Sequence, residues 1–89
     1  MLIDLIEKIA LGYSTGIYNE QRYVIEKNVF DTGNSIKIFA RALGGNDFIS
    51  LNYYKTSTQE YLKPCEMPNE KGIDFLENVK LIHVSGTNN

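Results

Sequence analysis

Cys65, in the stretch LKPCEMP, is the one thiol of this chain, and His83, in LIHVS, is its one imidazole. A nucleophilic cysteine needs its thiolate stabilised by a histidine, a base or a helix N-terminus. Cys65 lies just ahead of a segment that reads as a helix, but His83 stands beyond that helix and nothing in the spacing pairs them. Cys65 is therefore expected to be a small, half-buried residue between Pro64 and Pro68, which shape its loop. His83, between Ile82 and Val84, reads as a packing residue. One cysteine and one histidine do not make a zinc site, which takes four ligands. The acidic residues show no acid–base spacing, and Asp47 after Asn46 reads as a turn former. Gly44-Gly45 lacks the GxxxxGK[ST] spacing of a phosphate loop and opens no helix. These residues imply no catalytic site, no metal and no cofactor. A small thiol enzyme using Cys65 is the competing class.

Composition narrows the partners. The 89 residues are read as a single domain spanning 1–89 with a small core. The net charge is −2 and the pI is near 5.3. A general nucleic-acid binder wants a basic surface, so nucleic acid is expected only through a protein complex. A lone cysteine forms no internal disulfide. MLIDLIEKIALG is interrupted by Asp4, Glu7 and Lys8, unlike a signal peptide, and no stretch approaches the ~20 apolar residues of a membrane span. A cytoplasmic protein without a membrane role is the expectation.

The elements follow from periodicity. Leu2, Leu5, Ile6, Ile9 and Ala10 share one arc of a helix over 2–11, with Ile3 at its edge and Gly12 as its stop. Ile17 and Tyr18 suggest a short edge strand before a turn at 19–22. In the strand 22–30, Tyr23, Ile25 and Val29 share a face that Lys27 interrupts. DTGNS is turn chemistry. SIKIFARAL alternates strictly, with Ile36, Ile38, Ala40 and Ala42 to one side and Lys37, Phe39 and Arg41 to the other. Gly44-Gly45 suits a two-residue type I′ turn with positive φ at both positions. That register sets Ala40 opposite Ile49, Ile38 opposite Leu51 and Ile36 opposite Tyr53. The turn at 31–34 independently sets Val29 opposite Ile36 and Ile25 opposite Ala40. Both registers bury the same face of the middle strand, and a slip of one residue would undo the agreement. YLK at 61–63 suggests a further strand stopped by Pro64. MPNEKGIDFLENVK reads as a helix that buries Gly72, Ile73, Phe75, Leu76 and Val79. LIHVS reads as an extended tail against the sheet. The fold class expected is α+β in two layers: an antiparallel sheet of three to five strands with an N-terminal and a C-terminal helix on one face.

Two superficial matches fail. GIY at 16–18 opens like a GIY-YIG nuclease, but no YIG follows. The helix–strands–helix order also suits a double-stranded RNA-binding domain, yet the second helix begins PNEKGIDF, acidic where that family grips phosphate with lysines. The segments NSIKIFARALGGNDFISLNYY and LKPCEMPNEKGIDFLEN resemble a family of short bacterial proteins, some of which carry the label peptide methionine sulfoxide reductase. The resemblance covers roughly residues 12–80. Reductases of that name carry a GCFWG cysteine motif, which KPCEMP does not match, so the resemblance implies no established activity.

Phe39, Phe48 and Tyr54 share the strand face opposite the core, together with Lys37 and Arg41. Either the N-terminal hairpin or the tail at 81–85 folds over them, or they are open and form a protein-binding surface, since aromatics and arginine are enriched at interface anchors. Base stacking is a third use of such a face. The leading expectation is a small non-catalytic interaction module or inhibitor that presents Lys37, Phe39, Arg41, Phe48 and Tyr54 to a protein partner. Its size also suits a phage or mobile-element inhibitor of a host defence nuclease, of the anti-CRISPR type.

Overall fold

Strict alternation along Ser35–Ala42 (β3) organises the molecule, because it buries Ile36, Ile38, Ala40 and Ala42 while Lys37, Phe39 and Arg41 stay exposed. The computed structural model describes residues 2–82. β3 pairs antiparallel with Gln21–Phe30 (β2) on one side and Phe48–Lys55 (β4) on the other. Both registers are those the alternation demands: Ile25 opposes Ala40, Ile38 opposes Leu51 and Ile36 opposes Tyr53. Gly12–Tyr18 (β1) extends the sheet beyond β2, and Lys80–Leu81 (β6) pairs with β1. Glu60–Pro64 (β5) closes the other edge against β4. The result is one six-stranded antiparallel sheet in the order β5-β4-β3-β2-β1-β6, not the three to five strands expected.

Two helices cover one face. Leu2–Glu7 (α1) contributes to the core through Ile6, and the turn after it through Ile9. Asn69–Asn78 (α2) contributes Phe75 and Leu76, with Val79 at its end. They pack on Tyr18, Tyr23, Ile25, Ile38, Ile49, Leu51 and Tyr53 of the sheet. Helix and sheet come very close at Gly16, where an added Cβ would lie 2.9 Å from Val79 Cγ2 and 3.1 Å from the Lys80 carbonyl oxygen.

Several local expectations are corrected. The first helix ends at Glu7 rather than at residue 11, and Ala10 is exposed. Its end is set by a residue distant in sequence. Lys27 is buried, and its ammonium donates to the carbonyls of Ile6 at 3.1 Å and Ile9 at 2.9 Å. The Ile6 carbonyl also accepts from Ile9 N–H at 3.1 Å, so Lys27 binds the turn that closes the helix C-terminus, where a cation also suits the helix dipole. The lysine that interrupts the apolar face of β2 is thus a cap, and Val29, expected on the buried face, is 42% exposed instead. The tight turn with two left-handed residues is Asn19-Glu20, at φ 50° and 64°, between β1 and β2. At 43–47 the loop is wider, and of the two glycines only Gly44 has positive φ, at 83°. The register survives because Ala42 N–H donates to the Asp47 carbonyl at 2.9 Å, closing that loop at its base.

Candidate open-face binding site

The register places every odd-numbered side chain of β3 on the side of the sheet away from the helices, and the neighbouring strands follow. One row across that face runs Tyr61, Tyr54, Ser35 and Phe30. The next runs Lys63, Asn52, Lys37 and Asn28. A third runs Ser50, Phe39, Glu26 and Tyr13, and a fourth Phe48, Arg41, Val24 and Thr15. All five residues singled out from the sequence lie here: Lys37 and Arg41 are exposed, Phe39 is 36% exposed, Tyr54 39%, and Phe48 half-buried. The Phe39 and Phe48 rings stack at 6.2 Å with an interplanar angle of 25°. Neighbouring strands stand about 4.8 Å apart, so Phe39 and Phe48 form one cluster and the directly opposed Tyr54 and Tyr61 a second, with the polar row of Lys37 between them.

The N-terminal hairpin does not fold over this face. β1 lies in the plane of the sheet, and Lys80–Leu81 adds to its edge. His83 and the rest of the tail segment 83–85 lie outside the described residues. Among the described residues the aromatics of this face are therefore accessible. The exposed set is also wider than the sequence indicated. Tyr13 is 75% exposed and Tyr61 41%, and Arg22 and Lys63 are exposed on the same side. Tyr13 escaped notice because GYSTGIY carries two glycines and little alternation. Tyr61 escaped because its strand had no assigned register. Tyr13, Val24, Glu26, Phe39 and Arg41 line a shallow hollow of about 240 Å³.

The thiol sits at the margin of this face. Cys65 is exposed, and its Sγ accepts from Asn52 Nδ2 at 3.5 Å. Among the described residues no acid, base or cation is bonded to it. Asp47, expected only to form a turn, also holds the helix to the sheet. Its carboxylate accepts from Tyr23 Oη at 2.6 Å and from Lys71 Nζ at 2.5 Å. Burial alone would raise the Asp47 carboxyl, but those two hydrogen bonds outweigh it and hold the group below its usual range. Tyr18 donates in turn to Asp74. Tyr18, Tyr23 and Phe75 meet edge to face at centroid distances of 5.1–5.8 Å. This cluster ties α2 to the sheet. A second concavity, of about 350 Å³, opens where Ile3 faces Tyr53 and the loop 55–60.

No helix among the described residues is long and apolar enough to cross a membrane. No protein-family model, curated protein or solved structure matches this chain.

Proposed function

We propose that this protein is a small non-catalytic binding module that acts by occupying a protein partner's surface with its open sheet face. Lys37, Phe39, Arg41, Phe48 and Tyr54 form its centre, and Tyr13 and Tyr61 extend it toward the two edges. One observation carries the reading: a sheet covered by helices on one side leaves a set of large aromatic side chains in water on the other. Scattered apolar exposure is ordinary, but two aromatic clusters on one face, Phe39 with Phe48 and Tyr54 with Tyr61, separated by a row that contains Lys37 and Lys63, have the composition of interface anchors. Rigid strands hold these rings in place before the partner arrives, which limits the entropy lost on binding. An inhibitor that works by occupancy needs no more than this.

The test is affinity capture from the native host with the wild-type protein and with Phe39→Ala and Tyr54→Ala. The reading expects a specific protein that the wild type retains and both variants lose while remaining folded. Loss of the biological effect in Cys65→Ser, with capture unchanged, would favour the thiol-enzyme reading instead.

A further inference from the structure

Charge is segregated between the two faces of this molecule. Of nine basic and eleven acidic residues in the chain, Arg22, Lys37, Arg41, Lys63 and, at the β6 edge, Lys80 lie on the open sheet face against one acid of the paired strands, Glu26. The helix side carries the opposite balance: Asp4, Glu7, Glu70, Asp74 and Glu77 are exposed there, against exposed Lys8 and Lys55 and half-buried Lys71. A net charge of −2 thus conceals a basic face. Arg22, Lys37, Arg41 and Lys63 make no ion pair with any described residue; the pair seen is Lys71 with Asp47, on the other side. On β3, Lys37 and Arg41 flank Phe39 at two residues on either side, about 13 Å apart along the strand.

Building on the open-face reading, we propose that the partner offers an acidic protein segment: carboxylates meet Arg22, Lys37, Arg41 and Lys63, and an apolar side chain packs on Val24, Tyr13 and Phe39 in the hollow beside Glu26. Two other occupants fit less well. A second copy docked symmetrically through this face would set the same four cations against themselves, since a two-fold interface meets its own patch. A nucleic-acid strand would lay phosphates across Glu26, which the register sets directly between Phe39 and Tyr13 in the central row. A polypeptide satisfies that carboxylate with a backbone or side-chain donor and still answers the cations around it. Complementary charge of this kind steers encounter and selects the partner more than it adds affinity.

The experiment selects binders from an unbiased library of short displayed peptides on the purified protein, with a short oligouridine titrated in parallel. The expected peptides are net acidic with at least one aromatic or aliphatic residue. Their binding to Lys37→Glu/Arg41→Glu should fall about tenfold or more. It should also weaken severalfold between about 0.05 and 0.3 M salt. Should the double reversal melt early, Lys37→Gln/Arg41→Gln supplies the same comparison with a smaller loss. Enriched peptides that are neutral or basic, yet are lost with Phe39→Ala, would overturn the acidic partner and leave the open face standing as a binding site. No enrichment, or peptides indifferent to all of these variants, would remove the face itself. Oligouridine binding tighter than the best peptide would replace the protein partner with nucleic acid.

Discussion

The six tyrosines divide evenly between the two faces of the sheet, and the two sets live under opposite rules. Tyr18, Tyr23 and Tyr53 are at most 4% exposed, and each hydroxyl donates to a carboxylate, of Asp74, Asp47 and Glu60 respectively. Tyr13, Tyr54 and Tyr61 are 39–75% exposed. Tyr53 and Tyr54 are neighbours in the chain and differ only in the direction the strand turns them. A buried phenol must have a partner for its O–H, so the chain supplies an acid for each. An exposed phenol has no need of an acid: Tyr61 donates to Gln59 Oε1 in the loop before its own strand, and among the described residues no carboxylate is bonded to Tyr13 or Tyr54. The difference teaches that aromatic residues on the core face are fixed by the needs of folding, whereas those on the open face are not.

The comparison breaks first, and hardest, at the apolar core. Ile38→Ala or Leu51→Ala should lose about 2–5 kcal/mol in denaturant melts, because both side chains are fully buried and leave a cavity. A loss below about 1 kcal/mol at either would show that the helices do not close over this face. Next comes Gly16→Ala. Its new methyl would press on Val79 and on the backbone at Lys80, both held by the end of α2 and β6. Destabilisation of about 1–3 kcal/mol is expected, as for other overpacked sites. A melt matching wild type would mean that the contact relaxes freely.

The tyrosines themselves sharpen the contrast. Tyr53→Phe should cost about 1 kcal/mol, since it strands part of Glu60's hydrogen bonding, whereas Tyr54→Phe should be near neutral. Alkaline titration reads the same groups. Burial, and then the hydrogen bond and charge of Asp74, push Tyr18 up to about 12, while burial and Glu60 push Tyr53 to about 12, from 10.0 in the unfolded chain. The unfolded chain therefore loses these protons first. Their contribution is complete below pH 10.0 and is lost as pH rises toward about 12. Lys27 acts in the opposite sense, because burial, only partly opposed by Glu7, lowers it below 10.5 and favours the folded state as its proton leaves. Tyr53→Phe should accordingly flatten the alkaline fall in melting temperature.

Much of this architecture is legible in the sequence alone. The β2, β3 and β4 registers follow from one constraint met twice, since both hairpins have to bury the same face of SIKIFARAL. Parity alone then puts Lys37, Phe39, Arg41, Phe48 and Tyr54 together. What escapes depends on contacts distant in sequence. Lys27 looks like a flaw in an apolar stripe until the end of α1 is seen above it. β1 alternates poorly, with glycine at both 12 and 16, and its turn uses Asn19-Glu20 rather than a glycine pair. Without β1 and β5 in register, neither Tyr13, Tyr61 and Lys63 nor the segregation of charge could be assembled from the sequence.

The most direct measurement takes one variant, Phe39→Ala, and reads its folding stability and its retention of the captured partner side by side. If the open face is a binding surface, stability stays within about 0.5–1 kcal/mol of wild type, because Phe39 is 36% exposed and partly supported by Phe48. Partner binding should weaken in the same variant by about 2 kcal/mol or more. Unfolding as severe as that of Ile38→Ala would show that the second face is buried core. A folded variant that binds as wild type does would show an exposed aromatic surface to which that partner does not bind.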